Sequence, residues 1–223
     1  MVRRARIASL CGLVAAMVAI AGLAVAGGSG PIDSNAVPGS GNAMADRLQI
    51  VQGTTADHGG ARLAFAGADG RGGAKIDVWN PADAAWVTHW RLRPGQILAA
   101  GGGFLRIEDV RFGGPREVLV LATPGDSGGL AAPAASQPVL PAGGSLEVGL
   151  SRVELIAVEA DGTASARIWP KLQPLAKTDP GEIREVTLAA GTALAFGSRT
   201  LVVDRVQGDA GEIPALVLFD AGP

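Results

Sequence analysis

From about residue 46 onward, apolar residues recur at every second position or in short unbroken runs of Val, Leu and Ile, and Gly, Pro or Asp-Gly interrupts them every eight to twelve residues or so. A two-residue period with frequent turn residues predicts β-strands that bury one face. The candidates are Leu48–Gln52, Ala61–Ala66, Ala74–Trp79, Trp86–Leu92, Phe104–Arg111 and Glu117–Ala122, followed by Ser145–Val148, Arg152–Glu159, Ala164–Trp169, Glu182–Leu188, Arg199–Val206 and Ile213–Phe219. No amphipathic helix is predicted after Ala26.

The two sets of strands match one another in order. Arg62-Leu63, Ala68-Asp69-Gly70 and Ile76–Pro81 correspond to Arg152-Val153, Ala160-Asp161-Gly162 and Arg167–Pro170. Further on, Trp90–Leu98 runs parallel to Val186–Leu194, Leu105–Val110 to Leu201–Val206, and Val118–Leu121 to Leu216–Phe219. Ordered self-similarity of this kind is the signature of a repeated structural unit. The expected fold is all-β: two tandem small β-sandwich or partly open barrel domains, 46–123 and 145–223, related by internal duplication. A Pro/Ala/Gly-rich linker over 124–144 joins them, and the glycines at 70, 95, 162 and 191 fall at expected turns.

The N-terminal 45 residues follow a different pattern. Arg3, Arg4 and Arg6 precede an uncharged apolar run from Ile7 to Ala26, and Ala24-Val25-Ala26 before Gly27 has the small-residue spacing of a cleavage site. Residues 1–26 are expected to be an export signal peptide or, if uncleaved, a membrane anchor helix through residues 7–26. Residues 27–45 are Gly-, Pro- and Ser-rich and read as a flexible linker. The bulk of the chain is then expected on the periplasmic or extracellular side, anchored to the inner membrane or secreted.

Composition narrows the function. The chain carries 19 basic and 21 acidic residues, and three of the basic ones lie before residue 27, so the exported part is acidic. Its Lys and Arg are scattered singly, which argues against nucleic-acid binding. The only cysteine is Cys11, within the apolar run, so disulfides and thiolate chemistry are excluded from the rest.

Candidate chemistry is sparse. Gly125-Asp126-Ser127-Gly128-Gly129 resembles the nucleophile loop of chymotrypsin-like serine proteases, which would make Ser127 a nucleophile. Its place ahead of the whole second strand set, and the Ala/Pro-rich residues that follow, fit a glycine-rich linker instead. His58 and His89 lack the close spacing of a metal site, and no cofactor or metal is expected. Glu108, Asp109, Glu117, Glu154, Glu159, Glu182 and Glu185 read as solvated strand ends. Trp79, Trp86 and Trp90 cluster in the first set as candidate binding residues, and alternation puts Trp86 and Trp90 on one strand face; because the second set has no aromatic counterparts for these two, they are expected to be at least partly exposed and part of a binding surface, with filling of the first core as the competing reading. The expected function is that of a non-enzymatic envelope protein, an accessory or assembly subunit with a protein partner. A saccharide- or peptide-binding module using the tryptophans is the alternative, and a serine protease the remote one.

Overall fold

The computed structural model describes residues 47–112, 115–125, 131–208 and 214–222. The expected signal or anchor over residues 1–26, the linker 27–45 and Ser127 lie outside them. The first eight strands are β1 (Arg47–Val51), β2 (Thr55–His58), β3 (Ala61–Ala68), β4 (Ala74–Asn80), β5 (Asp83–Leu92), β6 (Ile97–Ala100), β7 (Gly103–Arg111) and β8 (Val118–Ala122). The second eight are β9 (Val139–Pro141), β10 (Ser145–Val148), β11 (Ser151–Val158), β12 (Ala164–Pro170), β13 (Arg184–Leu188), β14 (Ala193–Phe196), β15 (Arg199–Gln207) and β16 (Ala215–Asp220). Two single 3-10 turns, Leu175–Lys177 and Pro180–Glu182, lie between β12 and β13. The architecture is all-β and sandwich-like, and none of its sheets is closed.

Three sheets account for all the strands. One four-stranded sheet has the order β1-β8-β7-β6 and another the order β9-β16-β15-β14. The third runs β2-β3-β4-β5-β10-β11-β12-β13, so the two halves of the chain share it. The joint is an antiparallel pairing of β5 with β10, in which Trp86, Val87, Thr88 and His89 oppose Val148, Glu147, Leu146 and Ser145. All strand pairs in the named sheets are antiparallel, as short hairpin connections require.

Several pairings recur in the two halves. Arg62 opposes Trp79 as Arg152 opposes Trp169, and a bulge follows at Phe65/Gly67 in one half and at Leu155/Ala157 in the other. Another bulge falls at Ile107/Asp109 and at Val203/Arg205. Gly95, at φ +91°, donates its N–H to Ile107 O, and Gly191, at φ +83°, donates to Val203 O. Both turns demand positive φ, which glycine adopts at little cost. One expected correspondence is shifted by a residue: Ile107 opposes Leu121 and Val203 opposes Leu218, so Leu121 corresponds to Leu218 and not to Phe219. A one-residue slip turns a strand over, and the buried face decides the register.

Two cores lie between the shared sheet and the smaller ones. The first gathers Ile50, Leu63, Phe65, Ile76, Trp90, Leu98, Leu105, Ile107 and Leu121, with Val139, Ala215 and Val217 from the second half. The second gathers Leu146, Val153, Leu155, Phe196, Leu201 and Leu218, with Trp86 from the first half. The described residues accordingly form one compact unit. The stretch 124–144 is not linker throughout, because Val139 and Leu140 are buried in β9.

Candidate functional site

The tryptophans named from sequence do not form one surface. Trp86 and Trp90 share a strand face, as alternation predicts, but that face is the inner one: Trp86 is 4% and Trp90 3% exposed. The expectation that they are exposed for binding is therefore corrected. Between them Thr88 is also buried, and its hydroxyl donates to Val78 O at 3.1 Å, whereas the Trp90 indole N–H on the same face is buried without a hydrogen-bond partner. Trp79 is half-buried on the opposite, outer face of the shared sheet. Its counterpart Trp169 is covered by the segment that follows β12 and donates its indole N–H to Gln173 O at 3.2 Å.

The outer face of the shared sheet is polar and highly ordered in its pairing. Asp57, Arg62 and Trp79 sit side by side on β2, β3 and β4, and Glu147, Arg152 and Trp169 sit in the same way on β10, β11 and β12. In each half the acid binds the arginine: Arg62 Nε donates to Asp57 Oδ1 at 2.6 Å, and Arg152 Nη2 donates to Glu147 Oε1. The same acid, arginine and tryptophan row thus occurs once in each half.

Across the joint the pattern departs from this repeat and leaves a cleft of about 460 Å³. Lys75, Asp77, His89 and Arg91 line it from the first half, and Ser145, Arg152, Glu154 and Trp169 from the second, with Pro174 and Leu175 at the side. Gly143 and Gly144, also in the lining, put no side chain into the space. His89 is the centre of the floor. Its Nδ1 lies 2.7 Å from Asp77 Oδ1, and because a carboxylate only accepts, Nδ1 carries the proton. Its Nε2 lies 3.4 Å from Glu147 Oε1 without a hydrogen bond, and Arg152 Nε beside it is also buried without a partner.

Asp77, His89 and Ser145 thus occupy adjacent strands in the order acid, imidazole, hydroxyl. Activation of a serine needs the imidazole to accept the hydroxyl proton. Here Nε2 faces the Glu147 carboxylate and makes no hydrogen bond to Ser145, so the arrangement lacks the imidazole–hydroxyl contact that activation needs. Among the described residues no group of three or more His, Cys, Asp or Glu is placed to hold a metal ion.

Glu147 stands beside the cleft, between His89 and Arg152. Burial pushes its pKa up, but the Arg152 hydrogen bond and the charges of Arg152, His89 and Lys171 outweigh burial and hold the carboxyl below its ordinary value. A group whose pKa is depressed by folding stabilises the protein above its unfolded-state pKa, and this contribution is lost as pH falls through the lowered folded value. Acid unfolding followed by circular dichroism is expected to show stability falling below about pH 4.5, and Glu147→Gln is expected to flatten that fall and to lower stability at neutral pH. An unchanged acid profile in the variant would contradict this.

The sequence marked His89 only as a histidine without metal-site spacing and Glu154 as a strand-end acid, and it did not bring Lys75, Asp77, Arg91 and Arg152 together. They come from three strands, β4, β5 and β11, on both sides of the joint, and no local pattern marks a joint between two hairpins. Comparison with family models and with curated proteins finds no match to the chain. Among the described residues no helix is long and apolar enough to cross a membrane.

Proposed function

We propose that the protein is a non-enzymatic accessory or assembly protein of the cell envelope, built from two copies of one eight-stranded β-unit and delivered by its N-terminal apolar segment. The duplication reading rests on identical strand orders, coincident bulges and the repeated acid–Arg–Trp row. Delivery rests on Arg3, Arg4 and Arg6 ahead of the apolar run Ile7–Ala26.

The observation that carries the reading is the shared sheet. Two small domains on a flexible linker would lose relative freedom on meeting a partner, at a cost to affinity. Here β5 and β10 lock the halves into one body before any encounter, so a partner meets a fixed surface. The ionisable groups of that surface are spent largely in cross-strand pairs, the use expected of a rigid docking face.

The test has two parts. Mass spectrometry of the protein from its own cells is expected to find either Gly27 at the N-terminus or an intact N-terminus in the membrane fraction. A photo-crosslinking residue at position 91, in the cleft, is expected to give a discrete protein adduct in the envelope, and one at Leu150, exposed and away from the cleft, is not. A processed protein that stays in the cytosol, or equal crosslinking from both positions, would overturn the proposal.

A further inference from the structure

We propose that the cleft at the joint binds a small ligand bearing a carboxylate or phosphate group, held between Lys75 and Arg91. The inference goes beyond the accessory role and does not depend on it.

Lys75 and Arg91 stand directly opposite one another on β4 and β5, both exposed and both lining the cleft. Like charges in that relation destabilise a sheet. Neither has an ion pair or hydrogen bond to an acid among the described residues. Two of the nearby carboxylates are engaged elsewhere, Asp77 by His89 and Glu147 by Arg152.

The second half shows what the fold itself requires at these places. Ser165 and Thr187 oppose one another one position from the Ala164–Leu188 pair, as Lys75 and Arg91 do beside Ala74 and Leu92. A neutral pair therefore satisfies this fold. The next pair outward is Arg167 with Glu185, an ion pair at 3.0 Å. Among the described residues, no other directly opposed cross-strand pair consists of two cations.

An acid group placed between Lys75 and Arg91 relieves their repulsion and gains two charge-assisted contacts. Glu154, across the cleft on β11 and opposite Arg167, makes no ion pair among the described residues because Arg167 is taken by Glu185, and is left to accept from a hydroxyl or amino group at the ligand's other end. The cleft's volume falls within the range of small-molecule sites.

The experiment is a titration of the isotope-labelled purified chain with glucuronate, glucose 6-phosphate and glucose, read by NMR. One or both acids are expected to shift the signals of residues 75, 89 and 91, and glucose is not; which acid acts tells carboxylate from phosphate. The variant Lys75→Ser with Arg91→Thr, which installs the second half's own residues, is expected to weaken binding about tenfold or more while keeping the thermal midpoint of the native protein or raising it. Cleft signals that neither acid moves, glucose moving them equally, or undiminished binding by a folded variant would each overturn the proposal.

Discussion

Replacing Trp86 and Trp90 together by alanine is expected to leave little folded protein at room temperature. Each indole is at least nine-tenths buried, and truncating a buried tryptophan costs about 3–5 kcal/mol in lost burial and cavity formation. The two side chains serve different cores, Trp90 the first and Trp86 the second, and they stand four residues apart along a strand, roughly 13 Å. Their effects should therefore be nearly additive. A sum of about 6–10 kcal/mol meets or exceeds much of the stability of an ordinary domain. Urea unfolding of the two single variants, followed by near-ultraviolet circular dichroism of the double, checks this. Single variants within about 1 kcal/mol of the native protein would refute it.

The same two residues show where the sequence is informative and where it is silent. Strict alternation from Trp86 to Leu92 places Trp86, Thr88 and Trp90 together, and they are together. Alternation does not say which face is inward when the other face also carries Val87 and a half-buried His89. Their lack of aromatic counterparts suggested a partner surface; the contact they make is with the other half of the same chain. Strand β5 lies in the middle of the eight-stranded sheet, whereas β13, its counterpart, is the edge, and there Arg184 and Val186 stand where Thr88 and Trp90 stand. A central strand is buried on its flanks and takes large apolar residues, while an edge strand carries charge that discourages further pairing.

Edge position also explains the strands that the sequence did not disclose. The twelve predicted strands are all present, with small shifts at their ends. The four others, Thr55–His58, Ile97–Ala100, Val139–Pro141 and Ala193–Phe196, all lie at sheet edges and have three or four residues each. So few residues cannot display a period, and Thr-Ala-Asp-His or Ala-Leu-Ala-Phe carries little strand preference of its own. Such segments become strands because the neighbouring strand offers hydrogen bonds. The cleft was hidden for a related reason: its residues meet only through the β5–β10 pairing, a contact between sequence positions far apart that no local pattern encodes.

Cutting the chain in the stretch between β8 and β9 is expected to yield pieces that do not fold alone. The first piece loses Val139, Ala215 and Val217 from its core and exposes Trp86, which packs in the second core. It also bares the inner edge of β5, whose partner over four residue pairs is β10. An open, apolar edge of that kind seeks another strand, so the isolated piece 46–123 should aggregate or self-pair through β5. The second piece, 131–223, loses Trp86 from its core and bares β10. It also gives up the two contacts of Arg199 with Asp83, at 3.1 and 3.2 Å, that cross from one half to the other. Produced together, the pieces should recombine into a species with the near-ultraviolet spectrum of the intact protein, because every lost contact is restored without a covalent link. Size-exclusion chromatography and amide NMR of each piece decide the matter. A dispersed, monomeric spectrum from either one would mean that the shared sheet is only a meeting of two self-sufficient domains, and that the rigidity assigned to the joint comes from elsewhere.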